Sequence, residues 1–152
     1  MDARNAVTEP TAQYDLERFV DAQNGVYERA LAELRAGHKQ SHWMWFIFPQ
    51  LAGLGQSDMA RRYAIGSLDE AKAYLEHPVL GERLERSAEA LLPWGNRSAR
   101  QIMGSPDDMK LRSSMTLFAL ADPQREVFRQ VLEQFFGGEY DPKTLAIRSG
   151  GE

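Results

Sequence analysis

The chain has 152 residues, 43% of them hydrophobic and 26% charged, enough for one well-formed core and far from the composition of a disordered segment. Eighteen basic against twenty-two acidic side chains leave a net charge of −4 with no long block of either sign, which disfavours attachment to nucleic acid by phosphate neutralisation. Cysteine is absent, so disulfides, thiolate catalysis and cysteine metal sites are excluded, and a reducing cytoplasm is the expected compartment.

In chain order, residues 1–13 are polar and read as a flexible lead without the apolar run of a secretory signal. Residues 14–148 are expected to form one helical domain, and 149–152 a flexible tail. From Asp15 a single long amphipathic helix is predicted: Leu16, Phe19, Tyr27, Leu31 and Leu34 fall on one stripe, Gly37 stops it, and Asn24-Gly25 is its weak point.

Ser41 then reads as the cap of a helix over 42–48, ended by Pro49, in the stretch SHWMWFIFPQLAGLG. Such a helix has no polar side, and a helix apolar all round is a buried one. Its polar atoms still need partners, since an indole N–H and both imidazole nitrogens seek hydrogen bonds when covered. His42, Trp43, Trp45 and Gln50 are therefore candidates for a site at the polar end. Gly53 and Gly55 follow in a loop suited to positive φ and close backbone approach, just before a short helix carrying Arg61 and Arg62. One of those arginines can reach a pocket, and Arg61 is the candidate.

Ser67 with Glu70 forms a capping-box pattern, Pro78 opens the next helix, and Ser98 caps a short one stopped by Gly104. SPDDMKLRSSMTLF follows, with Asp107 and Asp108 in a first turn where the helix dipole favours carboxylates. On that helix Leu111, Met115 and Phe118 mark the core stripe, while Asp107, Lys110 and Ser114 line its edge. An acid, an ammonium and a hydroxyl so spaced suit a polar pocket wall, or else a solvated pair; Arg112 is expected to pair with Asp108 at i, i+4. Pro123 restarts the chain, Gly137-Gly138 stop it, and Asp141-Pro142 begin a last helix.

Period-two alternation is missing, so the fold is expected to be all-α, a single compact domain of about seven to eight short-linked helices. No run of apolar residues is long enough to span a bilayer. His38 and His42 stand four apart but across a stop and a new cap, so no metal is expected, and no cofactor.

The runs SHWMWFIFPQLAGLG, YAIGSLDEAKAYLEHPVLGERL, SPDDMKLRSSMTLF and FFGGEYDPKTL resemble the bacterial DUF 1810 family over roughly residues 14–147. The resemblance implies one all-helical domain and carries no activity with it. The calpastatin label sometimes attached to such chains does not suit a compact helical protein, since calpastatin is a long disordered repeat protein. A distant, fold-level analogy to the NADAR family suggests ADP-ribose-type N-glycosides as ligands.

Two functional readings remain. In the first, the protein binds or acts on a nucleotide-like or phosphorylated metabolite: Trp43 or Trp45 stacks on a base, and Gln50, Gly53, Gly55, Arg61, Lys110 and Ser114 hold the ligand. Asp107 and His42 are then the catalytic candidates, with catalysis itself left open. In the second, the aromatic patch docks a protein partner without catalysis. The expected partner is a nucleotide-like small molecule rather than a membrane or nucleic acid, and the oligomeric state is open.

Overall fold

A computed structural model describes residues 14–151, and side chains through Arg148; the expected lead, 1–13, lies outside the described residues, as does Glu152 of the expected tail. Ten helices are present among the described residues. They are α1 (Glu17–Gln23), α2 (Tyr27–Arg35), α3 (Met44–Ile47), α4 (Asp58–Arg62) and α5 (Leu68–Glu76), then α6 (Leu80–Glu89), α7 (Ala99–Met103), α8 (Asp107–Ala121), α9 (Glu126–Phe136) and α10 (Pro142–Gly151). The class is all-α, and the extended contact consists of one parallel bridge between Leu51 and Ile65. No helix among the described residues is long and apolar enough to cross a membrane.

The helices outnumber the seven to eight expected because the chain breaks more often than its periodicity implies. The predicted first helix is two: Gly25 takes φ +76°, a conformation only glycine adopts freely, and the chain turns there. The break lets α1 pack on α3 while α2 packs on α6. At the turn Gln23 is buried, and its amide donates to the Phe46 carbonyl at 2.8 Å and to the Tyr74 hydroxyl at 3.2 Å.

The aromatic helix is shorter than expected and is not the centre of the core. It spans four residues, with Trp43 in the cap position and no side-chain cap. Ser41 does not cap it, because Ser41 Oγ instead donates to Glu33 Oε2 at 2.5 Å. The central helix is α8, which packs against α5, α7, α9 and α10. Leu111, Met115, Leu117 and Phe118 are buried, and so are Ser113, Ser114, Thr116 and Ala119, so burial runs around most of the helix beyond its first turn.

Several ends follow the sequence closely. Ser98 and Gln101 form a closed capping box, Asp141 Oδ2 accepts from Thr144 N at 3.0 Å, and Gly137 ends α9 in the left-handed region. Ser67 caps α5, but the box stays open: Glu70 reaches past Ser67 to Gly66 N at 2.8 Å and to Arg18 at 3.3 Å. Arg112 does not pair with Asp108. It donates to the Glu139 carbonyl at 3.1 Å and the Tyr140 carbonyl at 3.0 Å, tying α8 to the turn before α10.

Candidate functional site

The loop between α3 and α5 is stitched at its base, Ile65 N donating to Gln50 O at 2.8 Å and Ala52 N to Ile65 O at 2.7 Å. Within it Gly55 packs so tightly on α4 that a Cβ there would lie 2.4 Å from the Ala60 Cβ, which only glycine avoids. This loop, the first two turns of α8 and the start of α10 enclose a cleft of about 330 Å³. It is lined by Gln50, Gly55, Lys110 and Lys143 together with the apolar Leu54, Pro106 and Met109. Ser113 and Asp141 also line it. Met109, at 48% exposure, is the large hydrophobic side chain that the fold leaves outside among the described residues.

The carboxylate of Asp141 is anchored, with Oδ2 accepting from Ser113 Oγ at 2.9 Å, Thr144 Oγ1 at 2.6 Å and Thr144 N at 3.0 Å. Those neutral donors hold the carboxylate in place and favour its charged form, so the cleft is lined by two ammoniums against one carboxylate. Lys110 belongs to a second cluster as well. Asp107 lies 2.8 Å from Lys39 Nζ and 3.7 Å from Lys110 Nζ, so two ammoniums share one carboxylate. Lys110 Nζ also stands 5.7 Å from the centre of the Trp45 ring.

Behind the cleft lies a far smaller space of about 10 Å³, lined by Trp45, Gln50, Tyr63 and Lys110 among others. Gln50 and Lys110 border both spaces. The Trp45 Nε1–H is buried and has no acceptor among the described residues.

The segment leading to Trp45 is held by Glu33 of α2. Its carboxylate accepts from Gln40 N at 2.8 Å, Ser41 N at 3.1 Å, Ser41 Oγ at 2.5 Å and Trp43 Nε1 at 2.8 Å. Burial alone pushes this carboxyl upward, but the donors, Ser41 Oγ foremost, outweigh it and hold the group at about 2 against an ordinary 4.5.

The structure thus brings together Trp45, Gln50, Gly55 and Lys110, with Asp107 beside them. It does not bring in the others. Trp43 is 1% exposed with its N–H satisfied by Glu33, so burial closes the stacking role expected of it. Ser114 is also buried, since α8 is already enveloped at that turn, and its edge position is corrected to core. His42 is exposed and lines neither space. Arg61 is exposed on α4 and lines neither space, and Gly53, at φ +101°, packs near Ile147 rather than lining the cleft. Asp107 sits between two ammoniums and does not line the cleft itself.

The family model described as "Protein of unknown function (DUF1810)" matches residues 13–147. The chain belongs to the DUF1810 family. A solved structure of the conserved hypothetical protein Rv1873 from Mycobacterium tuberculosis is similar, with 50% sequence identity and a TM-score of 0.88 over 90% of this chain and 98% of that one. No curated protein matches.

In this DUF1810 chain, sequence reasoning missed Lys39, Lys143, Met109, Leu54 and the Ser113–Asp141 pair. Asp141 was legible as a helix cap, but its approach to Ser113, 28 residues earlier, is a tertiary fact. Glu33 carried no local signal either, being one acid among many on an amphipathic helix.

Proposed function

We propose that this chain binds a small phosphorylated or nucleotide-like metabolite in the cleft between the glycine loop, α8 and α10. One observation carries the reading: in a protein of net charge −4, two lysines, Lys110 and Lys143, line the same cleft against a single carboxylate, Asp141, whose Oδ2 is already held by three donors. Lysine is a compact point charge suited to a phosphate, and the apolar side chains of Leu54 and Met109 suit the organic part of such a ligand. A cleft with a few placed polar groups among apolar walls is the usual form of a metabolite site.

Less supports the partner-docking reading, because Trp43, Met44, Ile47 and Phe48 are buried and only Trp45 and Phe46 of the aromatic run are half-buried.

A thermal-shift series with inorganic phosphate, ribose 5-phosphate, AMP and ADP-ribose tests the proposal. A ligand at about a hundredfold its Kd raises Tm by roughly 5–10 °C for a domain of this size. Lys110→Ala and Lys143→Ala, folded with near-normal Tm in buffer, are expected to lose most of that rise. A panel that shifts nothing, or shifts both variants as it does the parent, counts against the cleft.

A further inference from the structure

The small space behind the cleft has a chemistry of its own. Met44, Phe48, Ala60 and Tyr63 border it, and among them stand an indole, a primary amide and an ammonium, of Trp45, Gln50 and Lys110. The indole N–H is buried without an acceptor among the described residues. An N–H stripped of water and left unpaired is costly, and folds rarely tolerate one without an occupant. The volume, about 10 Å³, is that of one oxygen-sized occupant. A donor from Trp45, a donor from Gln50 and the positive charge of Lys110 all favour an oxygen carrying negative charge.

We infer that Trp45, Gln50 and Lys110 form an inner subsite that takes one terminal phosphoryl oxygen of a ligand whose remainder lies in the outer cleft. This rests on reading the cleft as an anion site. Gln50 and Lys110 border both spaces, so a phosphate at the partition places one oxygen inward toward the Trp45 N–H and leaves its others to Lys110 and Lys143. The Lys39–Asp107–Lys110 arrangement supports the geometry, because Asp107 tethers the Lys110 ammonium beside the Trp45 ring. The ligand class is therefore a phosphate monoester, whose tetrahedral oxygens serve both spaces at once.

The three tryptophans supply the test, since each indole N–H gives its own nitrogen–proton resonance and each has a different setting. Trp43 is bonded to Glu33, Trp94 is partly exposed, and Trp45 lacks a protein acceptor. Titration of the parent protein with ribose 5-phosphate, and separately with inorganic phosphate, is expected to move the Trp45 resonance downfield to saturation while Trp43 and Trp94 stay put. Trp45→Phe, which assigns the resonance and keeps a ring beside Phe46, weakens binding about tenfold; Lys110→Met abolishes both binding and the shift. Saturable, Lys110-dependent binding that leaves the Trp45 resonance unmoved means a resident water holds the inner space, and overturns the subsite while sparing the outer cleft. Absence of any binding to either probe overturns both.

Discussion

Glu33 gathers four donors from the four-residue stretch 40–43, and through them it fixes the path of the polypeptide from α2 into the aromatic segment. Its removal leaves the indole N–H of buried Trp43 and the part-buried Ser41 N–H without their acceptor, a desolvation loss rather than a mere missing contact, while the exposed Gln40 N–H can turn to water. Glu33→Ala is expected to lower stability by about 2–4 kcal/mol, read as a fall in the urea midpoint with the m-value unchanged. Glu33→Gln keeps a carbonyl acceptor and loses less. The carboxyl is held at about 2, below its ordinary 4.5, so its contribution is complete above the ordinary value and is lost as pH falls through the folded one. Stability of the parent should therefore drop between about pH 4.5 and 2 more steeply than that of Glu33→Gln. Parallel curves for the two proteins over that window would remove Glu33 from the account.

At the scale of elements, the ends of helices separate what is local from what is not. The box of Ser98 and Gln101 involves residues three apart and closes as their spacing demands. Ser98→Ala should cost about 1 kcal/mol, seen as a lower midpoint in denaturant, with near-native spectra. Ser41 has the same local look as Ser98 and a different fate, because a carboxylate eight residues earlier competes for its hydroxyl. Glu70 likewise abandons the box for Gly66 N and Arg18. Caps were thus readable where no distant partner intervened. The length of the first helix was misjudged for a similar reason: Asn24-Gly25 marked the weak point, but the gain that makes the break worthwhile is the separate packing of α1 on α3 and α2 on α6.

Across the whole molecule one continuous core draws on α1, α2, α3, α5, α6, α7, α8 and α9, with Ile147 of α10 packed against it. Because α8 touches helices from both halves of the chain, no group of helices keeps its apolar faces covered when the rest departs. Unfolding is expected to be a single cooperative transition. Far-ultraviolet circular dichroism and tryptophan fluorescence, with Trp43 in the core and Trp94 near the edge, should give the same midpoint in denaturant. Two distinct midpoints would show that part of the structure melts alone.

The sequence by itself determined the class, the family and most helix boundaries, since helical periodicity, caps and glycine stops are written in residues three or four apart. It also marked Trp45, Gln50, Gly55 and Lys110, whose polar or small groups stand out in apolar or loop contexts. Only the tertiary structure decided which marked residues share a cleft. Trp43 and Trp45 are two positions apart in the same run, yet one is sealed against Glu33 and the other borders the space behind Lys110. Asp141 and Lys143 join the same cleft from the far end of the chain. Neither outcome is encoded locally, because exposure and hydrogen-bond partnership belong to the packing of helices on one another, and α8 sets that packing.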